Sequence, residues 1–316
     1  MNIQWYPGHM TKTRRMMEEN ISLVDVVVEL VDARIPYSSK NPDIDNIAKN
    51  KKRIIAFNKS DLSDEASNKI WSEYYEKKGY KVIFVNSITG KGVNGVTQAA
   101  KDLMAEKIES LKAKGRIFVP VRAMIVGIPN VGKSTFINKY VGKTMAKTGD
   151  KPGITRTKQW IRIKKDFELL DTPGILWPKF EDETVGIRLA LTGAINDDIL
   201  DIAGLGTELI KLLRKKYPES LKERYSIQYA DTDMDWQILE KIGEKRGFKK
   251  KGGEIDLDRS AKILLDEFRG GKLGNITLEL PEDIVEAAEK TAEDKEAKRQ
   301  RDLERKRAFK KRNNKK

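Results

Sequence analysis

The sequence of 316 residues has no cysteine and one histidine, His9. Without thiols there are no disulfides and no thiolate metal sites, which suits a reducing compartment. Long apolar runs are missing as well: none approaches the roughly 18 residues that a membrane span needs. Residues 1–20 lack a signal-peptide pattern, so we expect a cytoplasmic protein that engages no membrane. Charge, by contrast, is plentiful. Lys and Arg number 62 against 48 Asp and Glu, a net charge of +14. Most of that excess lies in residues 298–316, where eleven Lys and Arg face only Asp302 and Glu304. Such a tail reads as disordered when free, with RNA as its natural counter-polyanion.

The densest signal is Gly127-Ile128-Pro129-Asn130-Val131-Gly132-Lys133-Ser134, followed by Thr135. Two glycines and then Lys-Ser have the spacing of a phosphate loop. The apolar run 121–126 before it reads as a strand, and residues 136–140 after it read as a helix. Glycine lets the backbone turn so that the N–H groups of Asn130, Val131, Gly132 and Thr135 can face a phosphate, at the positive end of the following helix. Lys133 can reach the β- and γ-phosphates, and the Ser134 hydroxyl can join the shell of a Mg²⁺.

Two further segments select the nucleotide. Asn58-Lys59-Ser60-Asp61 follows the strand-like run 53–57. A carboxylate at Asp61 can accept from N1–H and the 2-amino group of guanine, and adenine offers neither donor. Asp171-Thr172-Pro173-Gly174 ends another strand, 167–170. Asp171 can hold the Mg²⁺ through water, and the Gly174 N–H can meet the γ-phosphate. Asn86-Ser87, after the strand 81–85, matches more loosely the short loop that supports the guanine edge, with Ile88 where Ala is usual. Together these segments describe a guanine-nucleotide switch binding GTP or GDP with Mg²⁺.

Their order is unusual, because Asn58–Asp61 precedes the phosphate loop. A doubly wound sheet tolerates this, since every ligand loop sits at the carboxyl rim of the strands. With Trp5-Tyr6-Pro7-Gly8-His9-Met10 and Asp32-Ala33-Arg34-Ile35-Pro36 added, the chain resembles the bacterial ribosome biogenesis GTPase A family. The resemblance implies a circularly permuted P-loop GTPase, α/β with a mostly parallel doubly wound sheet, followed by an all-α domain. We place the GTPase domain at 1–177, a helical RNA-binding domain at 178–281 and the basic tail at 282–316. It further implies a monomer that binds the large ribosomal subunit precursor and its rRNA, and hydrolyses GTP to GDP and phosphate late in assembly.

Several residues keep two readings. Many GTPases place a water-orienting Gln directly after Asp-x-x-Gly, and here that position is Ile175. His9 can be a polar residue of a Pro-Gly turn, or the group that orients water, which is the role the resemblance gives it. Thr155, within the Gly-, Pro- and Thr-rich stretch 148–157, is the expected Mg²⁺ ligand of the mobile switch I and a catalytic residue beside Lys133. Asn130 is either a hydrogen-bonding loop residue or a K⁺ ligand. Arg34 receives no role. Lys245, Arg246, Lys249, Lys250, Lys251, Arg259, Arg269 and Lys272 form an RNA-backbone surface or a solvated helical face. At the level of function, the alternatives are a GTP-gated RNA-binding switch with little turnover and, were Asp61 incidental, a P-loop ATPase or nucleotide kinase.

Periodicity predicts a buried strand over 23–31, a half-exposed strand over 160–164, and helices over 64–78 and 93–114. Beyond Pro178 it predicts only helices, over 184–191, 199–213, 236–244 and 261–268. Asp197 or Asp198 is expected to cap the second of these and Asp258 the last. Residues 282–297 read as a solvated helix.

Overall fold

In the computed structural model the described residues are 8–142, 159–178, 180 and 182–284. Strands β1 (Val26–Asp32), β2 (Lys52–Asn58), β3 (Lys81–Phe84), β4 (Val121–Gly127), β5 (Gln159–Lys164) and β6 (Phe167–Asp171) form one sheet in the order β3-β2-β1-β4-β6-β5. Helices α1 (Gly8–Asn20), α2 (Pro42–Ile47), α3 (Glu65–Lys77), α4 (Val93–Leu103), α5 (Ala105–Ala113) and α6 (Lys133–Val141) alternate with these strands. They are followed by α7 (Glu183–Leu191), α8 (Ile202–Lys216), α9 (Pro218–Tyr225), α10 (Asp235–Arg246) and α11 (Leu257–Arg269).

Every residue of β1 is buried, as its apolar run requires of a central strand covered on both faces. All neighbours in the sheet run parallel except β5 and β6. From β1 the chain steps outward to β2 and β3, then α4 and α5 carry it back to set β4 on the other side of β1. The order therefore reverses between β1 and β4, the point at which doubly wound sheets bind ligands beyond the strand ends. The pairing register brings those ends level: Asp32 lies beside Asn58, Leu30 beside Gly127, and Ile125 beside Asp171. Every nucleotide motif predicted at a strand end thus falls on one rim.

Beyond β6 the described residues hold no strand, only an isolated bridge between Lys249 and Ile255. The helices there bury a shared core: Leu205, Leu209 and Leu213 of α8, Ile238 and Ile242 of α10, and Ala261, Leu264, Leu265 and Phe268 of α11. These recur every three or four residues, which aligns them on one helical face. The chain through Leu278 makes one compact unit, and a second begins at Glu279.

Local expectations need three corrections. The helix predicted over 93–114 is two helices, parted at Met104 (φ −107°, ψ 7°). The buried face of α4 (Val93, Val96, Ala99, Ala100) ends there, and α5 has no buried residue to extend it. Helix α8 is capped by Asp201, which accepts from Gly204 N at 3.0 Å, not by Asp197 or Asp198. Those two sit in a separate 3₁₀ turn, where Asp197 receives both ends of the Arg269 guanidinium at 2.6 and 2.8 Å. Helix α11 is capped by Asp256, which accepts from Arg259 N at 3.1 Å. Asp258 lies inside the first turn, where a carboxylate still favours the helix dipole. Helices α2 and α9 were not foreseen; both start with Pro as their first helical residue. The helix predicted over 282–297 and the basic tail lie almost entirely outside the described residues.

Candidate nucleotide site

Asn58, at the end of β2, is the knot of the rim. Its Nδ2 donates to the phosphate-loop carbonyl of Val131 at 2.7 Å. Its Oδ1 accepts from Ser87 N at 3.1 Å and Ser87 Oγ at 2.7 Å. One buried amide therefore joins three loops that lie far apart in the sequence. It also dictates Gly132, where φ is +96° and a Cβ would collide with Asn58 Nδ2. Ser60 ties the same segment to the residue after β3, its Oγ donating to Val85 O at 3.0 Å. Asn86 shapes its own turn, Oδ1 accepting from Ile88 N and Thr89 N at 2.9 Å each. Asp61 is exposed on the rim with no hydrogen-bond partner among the described residues, so its carboxylate is open to an incoming donor.

On the phosphate side, Lys133 opens α6 with Ser134 and Thr135 in its first turn. Lys133 Nζ is 2.9 Å from Asp171 Oδ1, and both side chains are buried. Thr172 Oγ1 donates to Ile125 O at 2.8 Å, which fixes the start of the Asp171–Gly174 turn. Gly174 approaches the phosphate loop so closely that a Cβ would lie 3.0 Å from Pro129 N. The Ser134 hydroxyl and the Asp171 carboxylate are hard oxygen donors of the kind Mg²⁺ takes, and the chemistry of that donor set fits the ion. Ile175 is fully buried, its N–H donating to Gly127 O at 3.1 Å and its carbonyl accepting from Asn41 Nδ2 at 3.2 Å.

The structure adds a charged cluster that motif reading left without a role. Lys59 Nζ lies 2.9 Å from Asp32 Oδ2 and donates to Asn130 O at 3.0 Å. Arg34 grips the same carboxylate with Nε at 2.9 Å and Nη2 at 2.8 Å. Burial opposes ionisation of Asp32, but Arg34 and Lys59 outweigh it and hold the carboxyl well below the usual range. Asn130 itself donates from Nδ2 to Gly193 O, just beyond α7, at 2.8 Å. The signal for this cluster was an Asp and an Arg two apart at the end of a buried apolar strand, where charges persist only if paired.

His9 belongs to α1, but its side chain lies outside the described residues, as do Thr155 and residues 1–7. The neighbour of His9 is placed: Met10 is fully buried, and its Sδ accepts from Leu176 N at 3.4 Å. Helix α1 is thereby pinned against the segment that follows Gly174. Among the described residues no helix is long and apolar enough to cross a membrane.

Comparison with known proteins agrees with this geometry. Residues 122–240 match the 50S ribosome-binding GTPase family. A ribosome biogenesis GTPase A from Bacillus cereus is 49% identical over 289 residues, spanning 92% of this chain and 97% of its own. Its namesake from Thermotoga maritima is 31% identical over 90% of this chain and 96% of its own. Among solved structures, GDP-bound YlqF of T. maritima superposes with a TM-score of 0.58 at 28% identity, covering 85% of this chain and all of its own.

Proposed function

The chain belongs to the ribosome biogenesis GTPase A family, and from that premise we propose that it hydrolyses GTP to GDP and phosphate on the large ribosomal subunit precursor, late in assembly. The observation that carries the reading is the Asn58 side chain, whose bonds to Val131 and Ser87 make one pocket of motifs scrambled in order. In this pocket Asp61 accepts from N1–H and the 2-amino group of guanine, supported from behind by Asn58, Ser60 and the Asn86-Ser87 loop. Lys133 gives up Asp171 for the β- and γ-phosphate oxygens, and the N–H groups of 130–135 close around them. Ser134, Thr155 and, through water, Asp171 are the residues that would hold Mg²⁺, and the ion would supply positive charge at the phosphate oxygens. Gly174 N–H meets the γ-phosphate.

Ile175 is a core residue and orients no water. His9 takes that task, a reading supported by the Met10–Leu176 contact that fixes its helix beside this segment. Asn130 is the residue that would offer an amide oxygen to K⁺. Residues 178–281 and the basic tail 282–316 bind rRNA, and the protein works as a cytoplasmic monomer. The Asp171–Gly174 segment and the switch II that follows it run straight into the helical region, so release of Gly174 on hydrolysis alters the grip on RNA.

Steady-state GTP turnover in K⁺ or Na⁺, alone and with purified large or small ribosomal subunits, tests the proposal. Stimulation by the large subunit, lost in His9→Ala with GTP binding intact, is expected. No response to the large subunit would refute the assembly role, and full stimulation of His9→Ala would refute the histidine.

A further inference from the structure

Lys59 and Asn130 share an uncommon backbone. Their φ values are +59° and +55°, a left-handed conformation that is strained for a non-glycine residue. They are also partners, through Lys59 Nζ and Asn130 O at 3.0 Å. Something must hold that ammonium on that carbonyl. Asp32 does so from the other side at 2.9 Å, and Asp32 is itself clamped by Arg34.

Arg34 reaches further. Its Nη1 donates to the carbonyls of Phe268 at 3.4 Å and Arg269 at 3.3 Å, at the end of α11, and its guanidinium lies 5.1 Å from the Phe268 ring centre. From that helix end the Arg269 side chain donates to Ala190 O at 2.8 Å and Leu191 O at 3.0 Å. Gly193, just past those carbonyls, accepts from Asn130 Nδ2 at 2.8 Å. The contacts return to the residue from which they set out. Asn130 is held by its carbonyl from the sheet side and by its amide from the helical side.

We propose that Asp32 and Arg34 are positioning residues of the nucleotide site: their buried ion pair sets the Lys59 ammonium on the Asn130 carbonyl, fixes the turn of the phosphate loop, and anchors it to the end of α11. The inference rests on the reading of Lys59 and the phosphate loop as the nucleotide site. Burial depresses the pKa of Lys59, Asp32 opposes this, and Arg34 and Arg269 add to the depression. Remove the charge of Asp32 and Lys59 is left beside like charges with no counterion. Its side chain is 24% exposed, so it has a route into water and away from Asn130. The strained turn then loses its outside support.

The test is a double-mutant cycle on the full chain, read as the dissociation constant of a fluorescent GDP, with melting temperature recorded without nucleotide. Asp32→Asn is expected to weaken GDP about tenfold in the wild-type background and by less than about twofold in Lys59→Met, because an effect routed through Lys59 disappears with it. Asp32→Glu and Arg34→Lys retain charge, are expected to weaken GDP less, and are silent in Lys59→Met; they carry the cycle if Asp32→Asn does not fold. Equal weakening in both backgrounds, or none in either, would overturn the inference. Lys59→Met binding GDP as wild type does would instead overturn the nucleotide-site reading on which it rests.

Discussion

On one flank of the phosphate loop, Asn58 and Lys59 hold two successive backbone carbonyls, Val131 O and Asn130 O, at 2.7 and 3.0 Å. On the other flank, Lys133 meets Asp171 through a single ion pair at 2.9 Å. The acceptors on the first flank are uncharged and point away from the cradle of N–H groups, so an arriving phosphate has nothing to replace there. On the second flank the acceptor is a carboxylate, an anion that phosphate oxygens could supplant. Under the proposed function the first flank is scaffold and the second exchangeable, a division that would let one loop be rigid for the base and responsive to the γ-phosphate.

The scaffold flank can be broken most completely at its tip. Asp61→Asn turns an acceptor of two hydrogen bonds into a group that can donate to a 2-oxo base, so preference is expected to pass from GTP to XTP. A shift of about a thousandfold in relative affinity is the scale for a site that loses its matched donors, checked by competition against a fluorescent GDP. Binding that favoured GTP unchanged would show that Asp61 does not read the base.

Asn58→Ala strips three hydrogen bonds, taking a partner from Val131 O, from the Ser87 N–H and from the Ser87 hydroxyl. The expected cost is about 2–3 kcal/mol in nucleotide binding, alike for GDP and GTP because this flank does not sense the γ-phosphate. Isothermal titration with both nucleotides checks it, and a loss confined to GTP would break the division between the flanks.

A third variant supplies a reference with no side-chain contact to the loop among the described residues. In the helical region Glu267 accepts from Arg224 at 2.6 Å and Arg246 at 3.1 Å. The hydrogen bonds from Arg224 lead, and its pKa falls from 4.5 to about 2. A depressed carboxyl stabilises the fold above its unfolded pKa and loses that contribution as pH falls through the folded value. The melting temperature of wild type is therefore expected to exceed that of Glu267→Gln at neutral pH, and the gap to close between about pH 4.5 and 2. The corresponding difference in folding stability is at most about 2 kcal/mol, because solvent screens the arginines, 33% and 36% exposed. Nucleotide affinity is expected to stay unchanged; a pH-independent gap would refute the charge account.

Much of this was legible in the sequence for a physical reason. Motifs that touch phosphate or base use backbone turns and fixed spacings, so Gly127–Ser134, Asn58–Asp61 and Asp171–Gly174 announce themselves in any order, and buried parallel strands read as apolar runs. What stayed hidden depends on partners distant in the chain. Arg34 could be given no task until α11 supplied its carbonyls, more than 200 residues away. Asn130 keeps two readings in the sequence because Gly193, the acceptor of its amide, lies 63 residues away. The caps failed differently: Asp197, Asp198, Asp201, Asp256 and Asp258 are chemically equal candidates, and only the Arg269 ion pair and the exact start of each helix choose among them.

Amide hydrogen exchange on the full chain, bound to GDP and then to a non-hydrolysable GTP analogue, tests the division between the flanks most directly. Protection across 171–176 is expected to differ between the two nucleotides, while protection across 57–61 and 85–88 stays the same. An equal or larger difference in 57–61 would contradict the account, because the scaffold flank would then be responding to the γ-phosphate.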